Sequence, residues 1–239
     1  MKKAIVTGHS KGLGAGITEA LLADGYNVLG VSRSALPGFE SGLEQVALDL
    51  GDVEALATWL EGGELESFLD GADIALLINN AGIVEPIAPL GRQGAAAIAR
   101  AVAVNISAAL VLADAFAALS TGIADRRLAH ISSGAGRHAY TGWSVYCATK
   151  AALDNHANGV REDALPGLKV ESLAPGVIDT GMQSTIRGTS EEDFALRAQF
   201  VELKETGALA SPEAVGAKIA AHVTGASFGA ETLTDIRQV

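Results

Sequence analysis

The sequence predicts a doubly wound α/β fold, in which helices cover both faces of one parallel β-sheet of about seven strands. Short runs of consecutive apolar residues alternate with helix-length amphipathic segments throughout the 239 residues. Strands that are buried on both faces have this composition, and alternating strands and helices are typical of a parallel sheet. No Pro/Ser-rich linker, charge block or internal repeat divides the chain, so we expect a single domain over residues 1–239.

The apolar runs are the expected strands, and the longer segments between them are the expected helices. The strands are residues 4–7, 28–32, 46–49, 74–79, 128–132, 170–174 and 232–235. The helices are residues 13–24, 52–69, 92–120, 144–165 and 212–223. The polar stretch 182–207 follows the sixth strand at the edge of the sheet where ligands bind, and we interpret it as a helical lid over the substrate. An ordinary solvated surface helix is the alternative for this stretch.

Composition excludes several classes of function. The formal net charge of −11 argues against a nucleic-acid groove, which needs a basic face. The single cysteine, Cys147, has no partner for an internal disulfide, and we find neither a membrane-spanning run nor a signal peptide. The five histidines form no metal-ligand motif. We therefore expect a cytoplasmic protein with no metal site, no nucleic-acid partner and no membrane partner.

A glycine-rich turn joins the first predicted strand to the first helix. Gly8 permits a tight turn, Gly12 lets the backbone approach a pyrophosphate, and Gly14 allows close packing of helix and strand. Free N–H groups at the start of the helix then face the phosphates. The spacing and the placement of the turn predict a dinucleotide site. Its expected contacts are Gly8, Ser10, Lys11, Gly12, Leu13 and Gly14.

The end of the second predicted strand selects between two dinucleotides. A carboxylate there binds the ribose 2′-hydroxyl of NAD, whereas a cation accepts the 2′-phosphate of NADP. This chain has Arg33 at that position, and Lys11 in the glycine turn is within reach of the same phosphate. Two cations and no carboxylate favour NADP, and two solvated surface cations are the alternative. Asp49 and Leu50, which end the third predicted strand, are expected beside the adenine.

Tyr146 and Lys150 lie four residues apart near the start of a predicted helix, so their side chains project from one face. An ammonium group stabilises a phenolate, and we expect Lys150 and an oxidised nicotinamide to lower the pKa of Tyr146. The tyrosine then exchanges a proton with a carbonyl or an alcohol. Ser133, at the end of the fifth predicted strand, is placed to hydrogen-bond the substrate oxygen. The three residues predict a site for proton transfer.

Further motifs follow the glycine turn along the chain. They are Asn79-Asn80-Ala81-Gly82, Asn105, Ser133, Tyr146, Lys150 and the run Pro175-Gly176-Val177-Ile178-Asp179-Thr180. In this combination the chain resembles the short-chain dehydrogenase/reductase family, in its single-domain form, from Lys3 to about Met182. Cys147 and Thr149 depart from the serines often found between the tyrosine and the lysine. The resemblance implies a Rossmann fold, NADP (NADPH) as the cofactor, and a homodimer or homotetramer.

The resemblance also implies a role for each matched residue. The implied catalytic set is Asn105, Ser133, Tyr146 and Lys150. Asn105 would bend its helix and hold a water that relays protons to Lys150. The implied cofactor contacts are Asn80, Ala81 and Gly82 beside the adenine ribose, Tyr146 and Lys150 at the nicotinamide ribose, and Pro175, Gly176, Ile178 and Thr180 around the nicotinamide.

Residues near the catalytic set bear on the substrate. His138, Tyr140 and Trp143 precede Tyr146, and their aromatic rings favour an apolar or aromatic substrate. Packing of this loop against the lid is the alternative.

Residues 179–183 and 234–237 look like the branch that holds sepiapterin reductase and bacterial benzil reductase, which reduce one carbonyl of a vicinal dicarbonyl with NADPH. This likeness places Met182 and Asp235 at the substrate, where an aspartate anchors the pterin in sepiapterin reductase. Ile236-Arg237 departs from the sepiapterin reductase pattern.

Three functions stay open at this point. The first is an NADPH-dependent oxidoreductase that reduces a ketone or a 1,2-dicarbonyl, with Tyr146 as the proton donor. The second is an NAD(P)-dependent alcohol dehydrogenase that acts on a sugar, a steroid or another secondary alcohol. The third is a non-enzymatic NADP-binding sensor, which would not need the complete catalytic set. Cys147 is either a redox-active group or a packed small side chain.

Overall fold

The fold is built on one parallel sheet of seven strands, in a computed structural model that describes residues 1–39 and 41–239. The strands are β1 (Lys2–Thr7), β2 (Asn27–Ser32), β3 (Leu43–Ala47), β4 (Ile74–Asn79), β5 (Asp125–Ile131), β6 (Leu168–Ala174) and β7 (Leu233–Asp235). Their order in the sheet is β3-β2-β1-β4-β5-β6-β7, and each neighbouring pair is parallel. The doubly wound α/β fold is confirmed.

Helices cover both faces of this sheet. They are α1 (Gly12–Ala23), α2 (Val53–Glu61), α3 (Glu64–Leu69), α4 (Ala95–Val102), α5 (Ala108–Leu119), α6 (Ser144–Glu162), α7 (Gly181–Gly188), α8 (Arg197–Glu205) and α9 (Pro212–Thr224). Ile17 and Ile219 pack one face, and Leu112 and Phe116 pack the other. Each of these side chains is almost fully buried, which stabilises the fold by about 1.5–3 kcal/mol per side chain.

Two predicted boundaries were wrong for local reasons. The predicted helix 52–69 is two helices, because the chain turns at Gly62 and Gly63, and Gly63 adopts a left-handed φ of 78°. The third strand ends at Ala47 rather than at residue 49. Asp49 instead forms a turn, in which its Oδ1 accepts from Gly51 N at 2.9 Å and its carbonyl accepts from Asp52 N at 2.9 Å.

The predicted helix 92–120 is one continuous helix from Ala95 to Leu119 with a π-helical turn at Ala103–Ser107 between α4 and α5. By length and composition this helix meets the requirement for a membrane span, contrary to our expectation that no such run exists. Its buried side chains, Leu112 and Phe116, pack on the sheet. A core helix of a globular protein passes the same test, so the helix is weak evidence for a membrane.

Candidate active site

A cleft of about 690 Å³ opens at the carboxyl ends of β1 and β4, where the order of the strands reverses. Ligands bind at such a reversal in open α/β sheets. Thr7 Oγ1 accepts from the backbone nitrogens of Asn80 at 2.9 Å and Ala81 at 3.0 Å. Asn80 Nδ2 in turn donates to the carbonyl of Thr7 at 2.9 Å. These bonds hold the two strand ends together at the centre of the cleft.

The glycine turn forms one wall of the cleft, and all six of its predicted contacts line it. Gly14 must lack a side chain, because a Cβ atom there would lie 2.1 Å from the carbonyl oxygen of Gly8. Lys11 precedes α1, and among the described residues no side chain caps the helix. The first N–H groups of α1 are therefore available to an anion in the cleft.

A basic corner lies where the turn meets the end of β2. Lys11 and Arg33 are exposed there and line the cleft, and neither forms an ion pair within residues 1–39 and 41–239. Ser10 Oγ lies 3.1 Å from Ser32 Oγ and 2.9 Å from Ser34 Oγ. Two cations and three hydroxyl groups suit a phosphate, so this corner fits the 2′-phosphate of NADP.

Asp49 and Leu50 also line the cleft, next to this basic corner. The carboxylate of Asp49 is bound by Arg100 of α4, whose Nη2 lies 2.6 Å from Oδ1 and 2.9 Å from Oδ2. Sequence reasoning did not find Arg100, because 51 residues separate it from Asp49 and no motif links them.

Tyr146 and Lys150 meet Ser133 at the middle of the cleft, and all three line it. The two helical residues lie one turn apart on α6, and Lys150 Nζ is 5.8 Å from the centre of the Tyr146 ring. Lys150 Nζ donates to the carbonyl of Ile131 at 2.7 Å. The hydroxyl group of Ser133 lies beside Tyr146, and its Oγ accepts from Ala135 N at 3.1 Å. The structure thus brings together three of the four expected catalytic side chains around one opening.

Burial controls the protonation of this pair. It raises the pKa of Tyr146 to about 12, against a smaller lowering by the hydrogen bond with Ser133. It lowers the pKa of Lys150 to about 8. In the protein without cofactor the pKa of Tyr146 is therefore raised rather than lowered, because desolvation disfavours the phenolate. The lowering expected beside an oxidised nicotinamide stays a prediction. Tyr146 is a protonated phenol at neutral pH, which suits a proton donor.

Asn105 lies near Gly82, as Lys150 does, but does not itself line the cleft. Its Oδ1 accepts from Ile83 N at 2.8 Å, and its Nδ2 donates to Ile83 O at 2.8 Å and to Thr149 Oγ1 at 3.1 Å. Thr149 Oγ1 donates to the carbonyl of Tyr146 at 2.9 Å. Asn105 and the overlooked Thr149 therefore tie the π-helical turn to the first turn of α6.

The segment after β6 forms the far wall of the cofactor region. Asn80, Ala81 and Gly82 line the cleft opposite it. Pro175, Gly176, Ile178 and Thr180 also line the cleft. A Cβ atom on Gly12 would lie 3.1 Å from Thr180 Cγ2, so the glycine turn and this segment face each other closely. The expected cofactor contacts thus surround one elongated space.

Aromatic side chains form the other end of the cleft. Trp143 stacks on Phe194, with ring centres 4.7 Å apart. The ring centre of Trp143 also lies 5.4 Å from that of Phe200 and 5.5 Å from that of Tyr146. Tyr140 packs against Trp143 at 5.7 Å. Met182 of α7 also lines this end. Residues 182–207, the expected lid, consist of most of α7, a linking segment and α8, and they supply both Phe194 and Phe200.

Two expected substrate contacts lie elsewhere. The side chain of His138 is exposed and does not line the cleft. Asp235 does not line it either. Its carboxylate is bound by Arg237, with Nη2 to Oδ2 at 2.6 Å and Nε to Oδ1 at 2.9 Å. The hydrogen bonds from Arg237 lower the pKa of Asp235 to about 2. Arg237, rather than Asp235, reaches the cleft wall.

Comparisons with known proteins agree with this arrangement. The family model described as short chain dehydrogenase matches residues 2–191. The benzil reductase ((S)-benzoin forming) of Bacillus cereus is 36% identical over 232 residues, 92% of each chain. The enzyme of that name from Bacillus subtilis (strain 168) is 35% identical over 219 residues, 89% of each chain.

A solved structure is also similar. The crystal structure of a short-chain dehydrogenase/reductase from Burkholderia vietnamiensis is 43% identical in sequence, with a TM-score of 0.72. The match covers 99% of this chain and 97% of that one. The chain is therefore an oxidoreductase of the short-chain dehydrogenase/reductase family, which binds NAD(P), and it belongs to the benzil reductase-like branch of that family.

Proposed function

We propose that this protein is an NADPH-dependent carbonyl reductase that reduces a ketone or a 1,2-dicarbonyl, with Tyr146 as the proton donor. The observation that carries the proposal is the position of Tyr146 and Ser133. They lie between a basic corner suited to a phosphorylated cofactor and an aromatic end suited to an apolar substrate. One group can thus deliver a proton where the two ligands meet.

The side chains divide the reaction between them. When bound, the reduced nicotinamide supplies the hydride for the carbonyl carbon. Ser133 Oγ donates a hydrogen bond to the carbonyl oxygen and orients it. Tyr146 Oη gives its proton to that oxygen and regains one from solvent afterwards. Lys150 Nζ, close to the tyrosine ring, holds a positive charge that stabilises the phenolate as the proton leaves.

The basic corner supports NADPH over NADH. Lys11 and Arg33 carry the positive charge there, and the hydroxyl groups of Ser10, Ser32 and Ser34 stand beside them. A 2′-phosphate brings negative charge to this corner, whereas a ribose hydroxyl does not. The same cations contribute little to the binding of NADH, which lacks the 2′-phosphate. The proposal therefore predicts that the protein binds NADPH more tightly than NADH.

The aromatic end supports an aryl-substituted substrate. Trp143, Phe200 and Tyr146 present ring surfaces to the cleft, and such surfaces favour a planar apolar group. The two Bacillus relatives are named for benzil reduction to (S)-benzoin. Benzil is an aromatic 1,2-diketone, so their substrate has the chemistry that these side chains suit.

The test is a turnover assay of the purified protein. Consumption of NADPH would be followed by absorbance with benzil, with aliphatic 1,2-diketones and with simple ketones, and each reaction would be repeated with NADH. We expect benzil and NADPH to give the highest kcat/KM. Oxidation of secondary alcohols without carbonyl reduction would favour the alcohol dehydrogenase instead. Tight NADPH binding with no hydride transfer to any member of the panel would favour the sensor.

A further inference from the structure

Arg100 and Asp49 form an ion pair inside the cofactor end of the cleft, and both residues line it. Nη2 of the guanidinium contacts both carboxylate oxygens of Asp49. The two side chains are 37% and 42% exposed, so they face the space that a ligand enters. Such a pair at an exposed site usually adds about 0–1 kcal/mol to stability. Stability alone therefore gives little reason for a cation at this position.

The turn after β3 leaves space for the side chain of Arg100 at Gly51. A Cβ atom on Gly51 would lie 1.9 Å from Arg100 Nη1 and 2.3 Å from its Cζ. Gly51 N also donates to Asp49 Oδ1 at 2.9 Å, so the backbone and the guanidinium share that oxygen. The absence of a side chain at Gly51 is thus what lets Arg100 pack over the turn and reach Asp49.

The carboxylate of Asp49 also lies within the field of Arg33. The hydrogen bond from Arg100 is the largest cause of the lowered pKa of Asp49, and the charge of Arg33 lowers it further. Without Arg100, an ionised Asp49 would attract Arg33 and repel a phosphate dianion in the same corner. Arg33 and Lys11 have no ion-pair partner among the described residues, so their charge is available to a ligand.

We propose that Arg100 is a specificity-determining residue for NADPH, which acts by neutralising Asp49 so that Arg33 and Lys11 remain available to the 2′-phosphate. The inference depends on the NADPH preference proposed above. Arg100 is a positioning residue in this role, because it acts through Asp49 and Arg33. Its effect should appear in the ratio of affinities for ligands with and without the 2′-phosphate.

The experiment measures that ratio by calorimetry with two fragments, adenosine 2′,5′-bisphosphate and adenosine 5′-monophosphate. In Arg100→Leu we expect the preference for the bisphosphate to fall roughly three- to tenfold, the size expected for one partly screened charge several ångströms away. Gly51→Ala should lower the preference in the same direction. It leaves every charge in the chain and only displaces the guanidinium, which is the flexible end of its side chain.

A rescue variant separates charge from shape. Asp49→Asn combined with Arg100→Leu removes the carboxylate that Arg100 neutralises, so the preference should return to within about twofold of the wild type. Arg92→Leu is the matched control. Arg92 is an arginine of similar exposure that pairs with Glu192 and Asp193 and does not line the cleft. Its loss should leave the ratio unchanged.

The outcomes distinguish this inference from the proposed function. Wild-type protein that binds both fragments equally would overturn the NADPH preference and the role of Arg100 with it. Wild-type protein that prefers the bisphosphate, with an unchanged ratio in Arg100→Leu and Gly51→Ala, would overturn the role of Arg100 alone. An equal loss of affinity for both fragments would do the same, because it would indicate a purely structural ion pair. Thermal unfolding of each variant checks that the fold is intact.

Discussion

The two halves of the cleft differ in where their residues come from. The cofactor half uses short segments at the ends of strands, such as the turn 8–14 and the ends of β2 and β4. The substrate half stacks Trp143 on Phe194 and Phe200, which come from a different part of the chain. Backbone geometry shapes the first half, whereas side-chain packing shapes the second. Local motifs can therefore predict most of the first half, whereas the side-chain packing of the second half needs the tertiary structure.

Electrostatics separates the two halves as well. The cofactor half holds Lys11, Arg33, Arg100 and the buried Lys150, whose burial lowers its pKa. The substrate half instead contains aromatic side chains that pack against one another. Charge placement should therefore govern cofactor choice, and ring packing should govern substrate affinity.

Tyr146→Phe removes the proposed proton donor at the point where the two halves meet. We expect kcat to fall on the order of 10²- to 10⁴-fold, because general acid catalysis contributes about that much. The Kd for NADPH, measured by fluorescence titration, should stay within about twofold, since the ring remains in place. Tyr26→Phe, at a buried tyrosine remote from the cleft, is the matched control. A variant that keeps most of its kcat would remove Tyr146 from the proposed mechanism.

Lys150→Met tests whether the buried positive charge of Lys150 in the cofactor half lowers the stability of the folded protein. The folded-state pKa of Lys150 is about 8, below the ordinary value of 10.5. Between these values the unfolded chain holds a proton that the folded chain has lost, so the free energy of unfolding rises with pH in this window. Relative to Lys150→Met, the wild type should gain about 2 kcal/mol between about pH 7 and pH 9.5.

Urea unfolding of both proteins at the two pH values measures this difference. Lys218→Met, at an exposed lysine of α9, is the control and should follow the wild type. Parallel pH dependences for the wild type and Lys150→Met would mean that the lysine is hydrated in the folded protein. The charge of Lys150 would then not lower the free energy of unfolding.

Phe194→Ala tests whether the substrate half is a separate packing unit. Phe194 is fully buried and stacks on Trp143. Its loss should raise the KM for benzil roughly three- to tenfold, which is the size of one aromatic pair, while the Kd for NADPH changes by less than about twofold. His138→Ala, at an exposed residue outside the cleft lining, should change neither value. Equal losses of NADPH and substrate affinity in Phe194→Ala would show that the halves are coupled.

Much of the fold follows from the sequence because parallel strands are apolar on both faces and therefore stand out from their surroundings. The boundaries that were wrong lie where a backbone turn interrupts a favourable pattern. Gly62 and Gly63 break one long amphipathic segment, and Asp49 leaves the third strand to accept backbone hydrogen bonds. Such local competition between a turn and a regular element is not visible in the pattern of apolar residues alone.

The site divides in the same way. The expected cofactor contacts all line the cleft, since glycine turns and strand ends fix them locally. Arg100 and Phe194 were missed, because each acts through a partner 51 residues away along the chain. Asp235 was expected at the substrate, but the neighbouring Arg237 occupies its carboxylate. Contacts that depend on long-range packing or on charge pairing need the tertiary structure.

The π-helical turn at Ala103–Ser107 makes the position of Asn105 sensitive to the deletion of a single residue. A π-helical turn is an α-helix with one residue inserted, so the helix on either side keeps its α-helical hydrogen bonds. Removal of one residue from this turn would let a regular α-helix run from Ala95 to the end of α5. Asn105 would then rotate by roughly 100° about the helix axis and lose its bonds to Ile83. A single-codon deletion here would therefore leave a well-formed helix while detaching the residue that supports the first turn of α6.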